Sequence, residues 1–150
     1  MLLLLALPAL AYDTINAAWP ASRLPLPYYI AADLGGLDDA ATVEAIQAAV
    51  AVWSEAECGI PFEYLGRIEG TAYGDPSDGL NVIYIVADGW PDESALASAP
   101  RLFTTGADIV EGDIALNAQY FSWAVEGADG VSTFDAVSYT HLTLPTTYTV

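Results

Sequence analysis

The sequence predicts an α/β domain in which one amphipathic helix packs on a mostly parallel sheet. Three observations carry that expectation. A strand-like run at residues 26–32 (LPYYIAA) is followed by a helix-like run at 39–57 and a second strand-like run at 62–68 (FEYLGRI). A strand–helix–strand unit of this kind is expected to be a right-handed crossover between parallel strands. Residues 80–86 (LNVIYIV) are almost continuously apolar, as in a central strand covered on both faces. Val43, Ile46, Val50 and Trp53 recur at three- and four-residue steps, giving the helix one apolar stripe to bury against the sheet.

Each element has its own local signal. Residues 12–25 are mixed in character and contain Pro20 and Pro25, an irregular lead-in. The first strand is rich in aromatic and β-branched residues and is broken by Gly35-Gly36. Asp38 and Asp39 offer an N-cap and negative charge at the positive end of the helix dipole. Alanines raise the helix propensity, and Gly59 and Pro61 stop it. The run 69–79 (EGTAYGDPSDG) is a turn-rich acidic loop. The connection 87–100 is unusually long, which is a sign of function. Residues 102–105 (LFTT) and 109–116 (IVEGDIAL) read as two further strands, the second bulged at Gly112. Residues 118–125 are ambiguous, and Ser132 or Thr133 could cap a new helix.

Composition excludes several classes of function. The 150 residues hold 20 Asp and Glu against 3 Lys and Arg, a formal net charge of -17. The cations are Arg23, Arg67 and Arg101. Nucleic acid and anionic membranes are therefore not expected partners, because both need clustered cations. Hydrophobic residues make up 54%, ample for a core and unlike a disordered chain. The expected state is a monomer.

The two ends read differently from the middle. Residues 1–11 (MLLLLALPALA) are too short to span a bilayer and end in an A-x-A cleavage pattern. They read as a secretory signal peptide, which implies export; a buried N-terminal strand is the other reading. Residues 137–146 (VSYTHLTLPT) resemble the translation of a transposase-type sequencing adapter, so 137–150 are read as an artefact tail and 12–136 as the natural segment. His141, the single histidine, falls in that tail.

Side-chain chemistry is sparse. Cys58 is the single cysteine and has no histidine within the natural segment to activate it; it reads as buried or as half of a disulfide. Asp108, Glu111 and Asp113 cluster within six positions and could bind a cation, act as an acid–base pair, or line a solvated turn. Asp75 and Asp78, with the carbonyls between them, resemble a loose calcium loop without the helix-loop-helix pattern. Calcium ligands are thus sought at Asp75, Asp78, Asp108 and Asp113. No Walker loop, GxSxG, CxxC or HExxH motif is present.

Four blocks, taken in order, resemble one family. Residues 45–66 (AIQAAVAVWSEAECGIPFEYLG) look like the first helix and second strand of bacterial matrixin-type metalloproteases of the metzincin clan. Residues 78–91 (DGLNVIYIVADGWP) look like the next strand. The pair 102–106 (LFTTG) and 111–117 (EGDIALN) resembles the last two strands, and 133–137 (TFDAV) the lead-in to the zinc helix. The resemblance implies a metzincin-like N-terminal subdomain: about five strands, mostly parallel, with one antiparallel edge strand and one long helix. It also implies a secreted zinc endopeptidase in which peptide or protein substrate adds to the edge strand through backbone hydrogen bonds, here at Leu102, Phe103, Thr104 and Thr105. The family's HExxHxxGxxH motif is absent, so no zinc ligand or general base carries over, and this chain is expected to be inactive. Two other readings stay open: an exported acidic binding module, calcium-dependent or not, and a carboxylate-based hydrolase.

Overall fold

The computed structural model describes residues 17–37, 39–55, 59–69, 77–104, 106, 108–125 and 133–135. Residues 1–16, Asp38, the helix end at 56–57, Cys58, Asp75, Thr105, His141 and the 137–150 tail lie outside the described residues.

Among the described residues, nine strands and one α-helix follow a short 3-10 turn at Ala21–Arg23. They are β1 (Leu26–Ala31), α1 (Asp39–Glu55), β2 (Phe62–Ile68), β3 (Val82–Val86), β4 (Ala97–Ser98), β5 (Arg101–Phe103), β6 (Ile109–Gly112), β7 (Ile114–Asn117), β8 (Ser122–Ala124) and β9 (Thr133–Asp135). The main sheet has five strands in the order β2-β1-β3-β7-β4. β2, β1, β3 and β7 are parallel, and β4 alone runs antiparallel at the edge. The chain is therefore the expected α/β domain: a mostly parallel five-stranded sheet with one antiparallel edge strand and one long helix.

Side-chain alternation explains why both faces are covered. Strands put successive side chains on opposite faces. On one face Ile30, Ile83, Ile114 and Leu116 meet Ile46 and Val50 of α1, together with Tyr28, Leu34 and Trp123. On the other, Val82, Tyr84 and Val86 pack with Ala31, Ala115 and Trp90. The near-continuous apolar run of β3 serves both cores at once. Helix α1 buries Thr42, Ile46, Ala49 and Val50, with Val43 and Trp53 half-buried at the margins of the stripe. A third, smaller cluster of Trp19, Leu26, Ile60 and Ile109 closes the end of the sheet where β1 starts. Among the described residues no helix is long and apolar enough to cross a membrane.

Three sequence expectations are corrected. The single strand at 109–116 is two strands, broken at Asp113: β6 pairs with β5, whereas β7 joins the main sheet beside β3. The break has a physical cause, because the Asp113 carboxylate accepts the Val82 N–H at 2.9 Å and fixes the crossing point. The helix start near Thr133 is instead β9, which pairs in parallel with β8. The strand expected from residue 80 begins at Val82, since Leu80 N–H is held by Asp78 Oδ1 in a local turn.

Candidate functional site: the free edge of the sheet

A sheet has two edges, and each presents unpaired backbone groups unless the protein covers them. The β2 edge is blunted. Its register with β1 shifts between Tyr28 and Ile30, at a bulge that contains Gly66 with φ 118. Arg67 ties the end of β2 to the end of β1, donating from Nε to Ala31 O at 2.9 Å and from its guanidinium NH2 to Ala32 O. Phe62 N–H is met by Ser54 Oγ at 3.3 Å.

The β4 edge is built differently. Ala97 stands opposite Leu116 and Ser98 opposite Ala115. Asn117 N–H donates to Leu96 O at 2.9 Å, and Asp113 N–H donates to Pro100 O at 3.0 Å. Residues 96, 98 and 100 therefore face β7. Hydrogen bonding alternates along an antiparallel strand, so the N–H and C=O groups of Ala97 and Ala99 point away from the sheet. The side chains of Ala95, Ala97, Ser98 and Ala99 are small, which allows another backbone to approach. Pro91 and Pro100 bracket the segment and limit its length, as prolines do at sheet edges.

Asn117 holds this edge in place. It is fully buried, and its Nδ2 donates to Ala95 O at 2.8 Å. Its Oδ1 accepts the N–H groups of Gln119 and Tyr120, both at 3.1 Å, and its carbonyl accepts Trp123 Nε1 at 2.7 Å. The connection leading into β4 is anchored in turn by Trp90 N–H donating to Gln119 Oε1 at 2.7 Å. Asp92 then accepts from Ser94 Oγ at 2.7 Å and from Ser94 N–H at 2.9 Å. Those bonds, the hydroxyl first, hold the exposed Asp92 carboxyl below its usual range.

The residues expected at the edge lie elsewhere. Leu102 and Phe103 belong to β5, where Leu102 pairs with Glu111 and Phe103 with Ile109 of β6. Thr104 N–H donates to Asp108 O at 2.9 Å, and Thr104 Oγ1 accepts from Gly106 N–H and Asp108 N–H. This turn folds the segment onto its own neighbour as a two-stranded hairpin. Leu102, Phe103 and Thr104 are thus not in the main sheet, and Thr105 lies outside the described residues. The antiparallel edge strand is Ala97–Ser98.

The acidic residues do not converge. Asp78 Oδ1 accepts Leu80 N–H at 2.9 Å, Asp108 is exposed, and Asp75 lies outside the described residues. Asp113 and Glu111, 5% and 1% exposed, accept from Val82 N–H and Gly79 N–H. Asn81 completes the same clasp, donating to Pro27 O and accepting Gly112 N–H, both at 2.8 Å. Among the described residues no three His, Cys, Asp or Glu side chains could hold a metal ion. The described residues therefore form no zinc or calcium centre, and no metal-assisted step is assigned to them. Sequence reading missed Asn81, Asn117 and the 95–99 segment; the one available signal was the unusual length of the 87–100 connection.

No protein-family model, curated protein or solved structure matches this chain.

Proposed function

We propose that this chain carries the substrate-strand portion of a secreted, zinc-dependent endopeptidase of the matrixin type. The observation that carries the reading is the antiparallel edge strand Ala97–Ser98, which closes four parallel strands, turns the backbone groups of Ala97 and Ala99 outward, and is joined by no further strand among the described residues. An extended peptide added there would gain main-chain hydrogen bonds from Ala97 and Ala99, so affinity would come from backbone and not from side-chain chemistry. The ordered sequence blocks and the secretory-type residues 1–11 support the same reading.

In the proposed parent, zinc would supply a polarised carbonyl and an activated water. The motif that would hold it is not in these 150 residues, which contain a single histidine and a single cysteine. The role of this chain is to bind the peptide, fix its direction and exclude water from one side of it. Without that motif, these 150 residues are expected to show no peptidase activity. Extending the coding sequence past codon 136 is the decisive experiment. A continuation containing HExxHxxGxxH is expected; an in-frame continuation without it overturns the protease assignment.

A further inference from the structure

We infer that the cleft at the carboxyl ends of β1, β3 and β7 binds a neutral, ring-sized apolar molecule. The inference does not depend on the reading of the β4 edge. The main sheet places β1 between β2 and β3. After β1 the chain crosses through α1 to β2, and after β3 it turns the other way, toward β4 and β7. In open parallel sheets, connections that diverge in this way leave a crevice outside the carboxyl ends of two neighbouring strands, and ligands bind there.

Here the cleft holds about 320 Å³. Residues 34–37, which follow β1, form one wall. Ala118 and residues 121–123, which follow β7, form the other, and Ile85 of β3 lines the cleft as well. Both walls are held by hydrogen bonds within the chain. Gly35 N–H donates to Asp33 Oδ1 at 2.9 Å, and Leu37 N–H donates to Leu34 O at 3.2 Å. Gly35 takes φ 63, and Ile85 Cγ2 lies 3.0 Å from where a Cβ would stand, so only glycine lets this turn sit against Ile85. Across the cleft, Ala118 N–H donates to Val86 O at 2.8 Å, and Trp123 Nε1 donates to Asn117 O at 2.7 Å. Walls fixed in advance reduce the ordering cost of binding.

The lining selects the ligand. Leu34, Leu37, Ile85, Phe121 and Trp123 are apolar, Ser122 adds one hydroxyl, and none of the described lining residues is charged. An apolar cavity of about 150 Å³ is enough to take up benzene, so this cleft has room for one or two rings. An anion would meet the field of a chain with net charge -17 and no cation in the lining.

Indole is the probe, titrated into the ¹⁵N-labelled 150-residue chain and followed by NMR. The Gly35, Gly36 and Ser122 amides and the Trp123 side-chain N–H should shift together and saturate with a Kd on the order of 1 mM or tighter, as expected for a ligand of this size. Indole-3-acetate should bind at least about threefold more weakly at low salt, because its carboxylate opposes the same field. Ser122 is exposed at the cleft, so Ser122→Phe should fill the mouth and weaken indole at least about tenfold, while Phe121→Ala, which removes part of one wall, should weaken it about threefold. Circular dichroism checks that both variants are folded, and the titration of the unaltered chain decides the site without them. Shifts that remain linear up to the solubility of indole, shifts scattered away from the cleft, or undiminished binding by folded Ser122→Phe would overturn the inference. Equal affinity for indole and indole-3-acetate would overturn the preference for a neutral ligand.

Discussion

Asn117 concentrates more of the fold in one side chain than any other described residue at the edge. Both its amide groups and both its backbone groups are engaged, and each partner belongs to a different piece of chain: the approach to β4, the turn after β7, and the Trp123 ring. Asn117→Ala would leave buried donors and acceptors without partners, so it should cost about 2–4 kcal/mol, read from urea unfolding. Tyr28 gives a second residue-scale prediction. It is buried against Phe62, edge to face at 6.3 Å, and against Tyr64 at 5.4 Å. Burial, and then the neighbouring Tyr64, pushes its phenol up to about 12. The unfolded chain ionises near 10, so above that pH the unfolded state releases a proton the folded state still holds. The stability tied to Tyr28 is fully present below pH 10 and lost as pH rises toward 12. Alkaline titration of the melting temperature should show that decline, and Tyr28→Phe should flatten it.

At the scale of elements, β4 separates the two sides of an edge strand. Ser98 faces β7, so Ser98→Pro removes a ladder donor and should destabilise the chain by about 2–3 kcal/mol. Ala97→Pro removes an N–H that points outward and should change stability by less than about 1 kcal/mol while abolishing peptide binding. Urea unfolding of the two variants side by side measures the contrast; equal losses would mean that Ala97 is not turned outward. This strand also shows what the sequence conceals. β1, α1, β2 and β3 were legible because their aromatic and β-branched runs and the helical stripe are local patterns. Ala97–Ser98 has no such pattern, since alanine and serine have little strand preference, and it is a strand only through Asn117 and β7. The stretch 102–105 looks more like a strand and forms one in part, yet its Thr104 turn directs it to β6. Glu111 and Asp113 read as an acidic cluster because their amide partners lie 31 and 32 residues away in sequence.

Across the whole molecule, the asymmetry between the two sheet edges is the feature that points to function. One edge is bulged at Gly66 and has its Phe62 N–H met by Ser54; the other is short, bracketed by prolines and lined with small side chains, and among the described residues no further strand pairs with it. The fold class was readable from residue order alone, because a strand–helix–strand unit followed by an apolar central strand leaves few arrangements. The location of the open edge was not, because it depends on pairing between distant segments. Amide hydrogen exchange, read residue by residue by NMR, tests the edge most directly. The Ala97 and Ala99 amides should exchange rapidly in the free chain and become protected when a saturating extended peptide with a central Ala-Val-Ala segment is added, while the Asn117 amide is protected throughout. Ala97 and Ala99 amides that are already slow without peptide, or that stay fast with it bound, would contradict the account.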